Sequence, residues 1–382
     1  MGPATGPTPP VPLQDLAAHH EPLLPELAAA AVRVLTSGRF IAGAETEAFE
    51  REAAAALSIP HAVGVSSGTD GLLAALMACG VGPGDEVVTS PFSFFASVGA
   101  ILRLGATPVF ADVDPATLNL DPTAAATRLG PKTRAALVVH LFGRAAPLDG
   151  LDAACAALDI PIIEDAAQAI GARADRSPSG RPSGALGRAA VISFFPSKNL
   201  GGFGDGGMVL TTDADFAARI RVLRVHGATA KNRHEVLGGN FRLDELQAAL
   251  LRVKLPHLPR WTERRRQIAD HYRQRLSAVA DAGAIELPPP DPGSVWNQFV
   301  LRIRDRARDP LRQHLAARGI ATAVYYPTPL HLQPALAHLG LRAGAFPQAE
   351  RAAREALALP IYPELPLAAA DRVAATVAAF FR

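Results

Sequence analysis

The residues of this chain that could carry covalent chemistry gather around one lysine. Lys198 stands in "SFFPSKNLGGFGDGG", Ser193 to Gly207, between an apolar aromatic run and a string of glycines. Lysines favour solvent, so one enclosed in this way calls for a chemical reason. A lysine amine kept neutral is a nucleophile and forms a Schiff base with an aldehyde cofactor. Such a site needs three further parts. A carboxylate must keep a pyridine nitrogen protonated. Backbone N–H groups at a helix N-terminus, with hydroxyls, must hold a phosphate. An aromatic side chain should cover one face of the ring.

The sequence offers each part. Asp165 ends the apolar run "IPIIED", where open α/β sheets place their ligand sites. "SSGTDG", Ser66 to Gly71, joins a strand to a helix and supplies small residues and N–H groups. Phe94 follows another strand end in "SPFSFF", and Ser193 ends the strand before Lys198. Taken singly, each has a plainer explanation: Asp165 as a cap or solvated loop acid, "SSGT" as a helix cap, Phe94 as core, Lys198 as surface. Their appearance together at successive strand ends favours the chemical one, with pyridoxal 5′-phosphate (PLP) as the aldehyde. The glycines around Lys198 would then let the backbone approach a bulky adduct.

The same stretch contains a literal GxGxxG at Gly202, Gly204 and Gly207. A dinucleotide site needs that motif after a strand and at the start of a helix; here it precedes the strand "GMVLTT", so a nicotinamide oxidoreductase is disfavoured. No GxxxxGK[ST] is present. The net charge is +2, from 38 basic and 36 acidic residues, with no basic stripe to suggest a nucleic acid polymer or an anionic membrane. "ERRRQ", Glu263 to Gln267, reads as a solvated helix face. Cys79 and Cys155 have no partner at metal-ligand spacing, so neither zinc nor a disulfide framework is expected, and a cytoplasmic location fits. No run of 18 apolar residues suggests a membrane span, and "MGPATGPTPP" lacks a signal core and a myristoylation pattern.

The elements that must position these residues alternate from about residue 44 to 225. "HAVGV", "DEVVTS", "TPVFADV", "TRAALVVHLFG", "IPIIEDAAQ", "RAAVISFF" and "GGMVLTT" read as seven strands, mostly with helices between them. Their near-continuous apolar content means burial on both faces, hence a mostly parallel sheet between helices. "LDELQAALLRVKL" and "WTERRRQIADHYRQRL" form a long helical stretch; "LPPPDPG" then breaks the pattern. "NQFVLRI" is a strand, "DPLRQHLAARG" a helix, "ATAVYYPTPLHL" extended, and "QAERAAREALAL" and "AAADRVAATVAAFF" are closing helices. At roughly 100–200 residues per domain, 382 residues suggest two. The expected division is a flexible arm 1–15, a large α/β domain 16–255 and a smaller C-terminal α+β domain 256–382.

The blocks "GTDGLLAAL", "GDEVVTSPFSFFAS", "GATPVFADVD", "VVHLFGRAAPLDGL", "EDAAQAIGA", "SFFPSKNLGGFGDGG", "GGNFRLDELQAALLRVKL" and "YYPTPLHLQPAL" resemble, in order, those of the DegT/StrS-type nucleotide-sugar aminotransferases. The resemblance runs from "VLTSGRFIAGAETEAFE" to "LALPIYPEL". It implies the type I PLP-dependent transferase fold. It implies that Lys198 holds the cofactor, Asp165 its pyridine nitrogen and Gln168 the vicinity of its phenolic oxygen, while Phe94 stacks on the ring. Gly68, Thr69 and Ser193 match phosphate binders. Asn240 matches an asparagine reaching the phosphate from the neighbouring subunit of a homodimer, and Arg242 an arginine suited to a substrate carboxylate. Tyr326 and His331 lie in a block that faces the sugar in relatives. The implied reaction passes an amino group from L-glutamate to PLP, leaving pyridoxamine 5′-phosphate, and then to a keto-sugar nucleotide, for antibiotic or surface-glycan biosynthesis. "GDGG" resembles the version in relatives that aminate C3. Two alternatives stand beside it. A dehydratase of the same fold would carry histidine in place of Lys198. A regulatory or binding protein without turnover would not need Lys198, Asp165 and Gln168 together.

Overall fold

The computed structural model describes residues 9–174, 177 and 179–382. Seven strands form its main sheet: β1 His61–Val65, β2 Glu86–Thr89, β3 Thr107–Phe110, β4 Thr133–Val139, β5 Ile162–Asp165, β6 Ala189–Ser193 and β7 Gly207–Thr211. Their order is β1-β7-β6-β5-β4-β2-β3. β7 runs antiparallel to both neighbours; every other pairing is parallel. The expected mostly parallel seven-stranded sheet is therefore present. Its strands are apolar on both faces because helices cover both. The helix Gly68–Ala78 packs Leu72, Leu73 and Leu76 against one face. Helices Leu24–Ser37, Ala44–Leu57 and Glu245–Lys254 bury Leu27, Phe49 and Leu251 on the other.

A two-stranded ribbon, β8 Ala228–Ala230 and β9 Arg233–His234, precedes the segment 238–242, whose Phe241 carbonyl accepts from the Ser66 N–H at 2.9 Å. That segment lies along the open edge of β1, with Arg242 bridged to Val65.

The smaller unit has an antiparallel sheet, β10 Ile285–Glu286, β11 Phe299–Ile303 and β12 Ala356–Leu359. Helices Leu258–Asp281, Arg308–Ala316 and Leu367–Phe380 cover it with Leu276, Leu315 and Val373. β12 corrects the expected helix "QAERAAREALAL". The helix ends at Glu355, and "ALAL" pairs with β11, Phe299 opposite Leu359. Alanine and leucine prefer helices, but all four residues are buried, and the ladder of β11 overrides that preference.

Two further expectations need correction. Of the flexible arm 1–15, residues 1–8 lie outside the described residues, but 9–15 are fixed. Val11 is buried, donates its N–H to Gly319 and accepts from Ala321. "ERRRQ" is not a solvated face. Arg265 is buried and donates to the Ile361 carbonyl at 2.8 Å; Arg264 and Arg266 reach the carbonyls of Leu365 and Ser294. These arginines tie the long helix to two loops. That helix begins just past the proposed boundary at 255, yet its Leu258 and Trp261 belong to the large unit's core and Ile268 onward to the small one's.

Candidate active site

Parallel pairing of β4, β5 and β6 brings their C-terminal ends to one edge, with Asp165 level with Val139 and Val191. The Asp165 carboxylate is buried. Its Oδ2 accepts from Ser97 Oγ at 2.7 Å and its Oδ1 from the Ala167 N–H at 3.2 Å. Burial pushes its carboxyl up, against those two hydrogen bonds and the charge of Lys198. The adjoining Glu164 points to the other side of the strand and is fully buried. It accepts from the N–H groups of Gly184, Leu186 and Gly187 and from His140 Nε2 at 2.8 Å. Burial raises the Glu164 pKa, but His140 and those N–H groups outweigh it and hold the carboxyl low. His140 Nδ1 accepts from the Ala146 N–H, so the ring proton sits on Nε2, facing Glu164. The His140 N–H in turn donates to the Asp165 carbonyl at 2.9 Å. Ser97 and His140 thus brace Asp165. Sequence reasoning missed both, although Ser97 sits in the same "SPFSFFAS" block as Phe94.

The candidate phosphate cradle lies at the start of the helix Gly68–Ala78. Ser67 caps it, accepting from the Asp70 N–H at 3.0 Å. The N–H groups of Gly68 and Thr69 belong to the first turn and have no partner within the helix. Ser193 lies alongside: a Cβ on Gly68 would come within 2.9 Å of the Ser193 Cβ. Only glycine admits that approach, and it places a hydroxyl beside two free donors and the positive end of a helix dipole.

Lys198 stands on a closed turn. Its N–H donates to the Phe195 carbonyl at 2.8 Å, and a Cβ on Gly201 would lie 2.1 Å from the Pro196 carbonyl oxygen. Similarly, a Cβ on Gly207 would lie 2.6 Å from the Ser67 carbonyl. Gly201 and Gly207 are needed for the protein's own chain to close on itself. Burial pushes the Lys198 ammonium from 10.5 down to about 8, while the Asp165 charge pulls the other way.

The remaining candidates divide. Gln168 is buried, accepting from the Phe142 N–H at 2.7 Å and donating to Tyr326 Oη at 3.0 Å. Tyr326 is therefore tied to the residue beside Asp165, and burial raises its phenol's pKa. Phe94 is exposed and its ring centroid lies 6.5 Å from that of Tyr326. Asn240 is exposed on the edge of β1, and it caps no helix, since the next begins at Glu245. Arg242 is half-buried, and its Nε is buried without a hydrogen-bond partner. His331 departs from expectation. Its side chain is fully buried between Phe110 and Phe346, with Nε2 3.1 Å from Glu350. Enclosed in this way, it presents no surface to a sugar.

A desolvated lysine near a buried carboxylate, a helix-start cradle with a serine and an exposed aromatic, all at one edge of this sheet, define a type I PLP-dependent enzyme. The family model for the DegT/DnrJ/EryC1/StrS aminotransferases matches residues 24–378. The chain is 46% identical over 368 residues to the dTDP-3-amino-3,4,6-trideoxy-α-D-glucose transaminase of Streptomyces venezuelae, covering 96% of this chain and 95% of that one. It is also 46% identical over 373 residues to a pleiotropic regulatory protein of Geobacillus stearothermophilus, covering 97% and 99%. The crystal structure of S. venezuelae DesV in complex with a ketimine intermediate superposes with a TM-score of 0.93 at 45% identity, covering 98% and 99%. The chain belongs to the DegT/DnrJ/EryC1/StrS aminotransferase family, whose cofactor is PLP, alternating with pyridoxamine phosphate.

The donor set fits that cofactor. The free N–H groups of Gly68 and Thr69 with Ser193 suit a phosphate, Asp165 suits a pyridinium, and Lys198 suits an aldehyde. The lowered pKa gives a test on the cofactor-free protein. Acetylation of Lys198 by a small ester, followed by peptide mass mapping, should rise with pH through a midpoint near 8. Asp165→Asn removes an attraction for the ammonium and should move that midpoint lower. A midpoint above 10 in the unaltered protein would show Lys198 to be an ordinary solvated lysine.

Proposed function

We propose that this protein transfers the amino group of L-glutamate to a 3-keto-sugar nucleotide, as a homodimer with shared active sites. The observation that carries the proposal is Lys198 itself: a desolvated amine on a closed turn, in a chain that keeps its family likeness from residue 24 to 378. When bound, PLP supplies an electron sink for the charge left on a donor carbon as its proton departs. The protein's part is to hold and to move protons. Lys198 would hold the aldehyde and, as a free amine, would take up and return the proton of the donor's α-carbon. Its lowered pKa suits both directions near neutral pH. Asp165, buried and braced by Ser97, keeps a positive pyridine nitrogen in place by a charge-assisted hydrogen bond. Gln168, fixed by the Phe142 N–H and Tyr326 Oη three positions after Asp165, would serve the cofactor's phenolic oxygen. Arg242, with its unpaired Nε, is the group for a donor carboxylate, which a guanidinium grips in two parallel bonds.

C3 is favoured because the matched transaminase is named for a 3-amino sugar, in keeping with the resemblance of "GDGG" to C3-aminating relatives. The dimer is supported by the apolar side chains left uncovered on a single chain. Phe40, Ile41, Phe94, Phe195 and Leu237 are all exposed, a cost that a second copy would remove. The regulatory protein among its relatives supports a second reading, binding without turnover. A cytoplasmic location is part of the proposal.

Two measurements test it. Purified protein with PLP, L-glutamate and a panel of 3-keto and 4-keto dTDP- and UDP-sugars should give 2-oxoglutarate and an amino sugar with a 3-keto compound. PLP binding with no 2-oxoglutarate from any of them would favour the regulatory alternative. For the shared site, inactive Lys198→Ala and inactive Asn240→Asp chains are refolded together. Each mixed dimer then has one site with both lesions and one with neither, so random pairing should restore roughly a quarter of wild-type activity. No recovery in proven mixed dimers would mean that each site is built from one chain.

A further inference from the structure

The turn that carries Lys198 is closed at its far end by a second, fully buried lysine. Lys254 is the last residue of the helix Glu245–Lys254 and is only 1% exposed. Its Nζ donates to the Gly201 carbonyl and lies 3.0 Å from His20 Nε2. It also stands 5.4 Å from the Phe203 ring centroid and 5.9 Å from that of Trp261. Those contacts surround the ammonium with one carbonyl, one imidazole nitrogen and two aromatic faces.

We propose that Lys254 is a positioning residue for Lys198: it holds the Gly201 carbonyl and so fixes the turn from which the Lys198 amine projects.

Burying an ammonium is costly, and a methionine would fill the same space more cheaply. Burial pushes Lys254 down to about 8, against the opposing charge of Glu364. A lysine at a helix C-terminus often serves its own helix's carbonyls. This one reaches instead to a carbonyl 53 positions earlier in the chain. Gly201 is the residue whose Cα packs against the Pro196 carbonyl, so holding it closes the turn 196–201 around Lys198. The rest of that turn is held from outside as well. Gln14 donates to the Ser197 carbonyl at 2.8 Å. Asn199 donates to the Val295 carbonyl at 2.9 Å and accepts from Asn297 at 2.8 Å. His20, which receives Lys254, belongs to the N-terminal segment that also provides Gln14. Its neighbour His19 is 2.8 Å from Glu364 in the small unit. The turn is thus clamped from three directions, and of Gln14, Asn199 and Lys254 it is Lys254 that carries a charge.

This inference rests on Lys198 being the cofactor lysine. The test is Lys254→Met in the PLP-loaded protein, with His20→Leu as a milder companion. Visible circular dichroism per bound cofactor reports how the ring is held. It should change at least twofold in Lys254→Met, while kcat falls tenfold or more and the KM for the sugar nucleotide stays within twofold. His20→Leu should move both in the same direction by less. A role confined to stability would lower Tm and leave ellipticity per bound cofactor and kcat unchanged; that result overturns the proposal. Should Lys254→Met fail to fold, an unchanged ellipticity and kcat in His20→Leu overturns it equally. Absence of any visible band in the unaltered protein would instead sink the assignment of Lys198, which keeps the two failures distinct.

Discussion

The structure turns on one unfavourable arrangement: a half-buried lysine and a buried aspartate of opposite charge, brought together beyond the ends of adjacent parallel strands. Asp165 closes β5 and Lys198 follows β6. Desolvation raises the carboxyl's pKa and lowers the amine's, while their mutual attraction opposes both shifts. That tension is what gives a neutral nucleophile near pH 8, and the chain must be built to sustain it. Small residues at Ala189, Ala190 and Gly71 let helix and sheet approach closely. The close approach of Gly68 to Ser193 and of Gly207 to Ser67 locks the start of the helix Gly68–Ala78 to β6 and β7.

Bracing extends well beyond the reacting groups. Glu164 and His140 form a buried pair directly behind Asp165, with three backbone N–H groups satisfying the carboxylate. Such a pair, fully hydrogen-bonded, fixes the strand end without leaving a charge unmet. On the opposite side, Gln14, Asn199 and Lys254 hold the turn of Lys198, and they link it to the N-terminal segment and the small unit. The small unit therefore meets the site through fixed hydrogen bonds as well as through apolar contact between Val139 and Phe142 on one side and Leu330 and Ala358 on the other.

Much of this was legible in the sequence. Continuous apolar runs gave the seven strands and their parallel character, because burial on both faces leaves no alternation. The ends of those strands pointed to Lys198, Asp165, Phe94 and the Ser66–Gly71 cradle. What escaped depends on contacts distant in sequence. "ALAL" reads as helix by composition and becomes β12 only because β11 lies beside it. Arg265 and Lys254 look like surface charges until the loops that receive them, at Ile361 and Gly201, are in place. His331 stands within a functional block, yet its imidazole turns inward to Glu350. The glycines near Lys198 were visible, but their reason, closure of the chain on itself, appears only when their Cβ directions are known.

The central claim is that Lys198 alone bears the cofactor. Borohydride reduction of the PLP-loaded protein, followed by proteolysis and mass spectrometry, tests it directly. The account predicts a reduced pyridoxyl phosphate group on the peptide containing Lys198, and on no peptide containing Lys132, Lys231 or Lys254. Label on any of those three, or none on Lys198 in protein that shows the visible absorption, would contradict it.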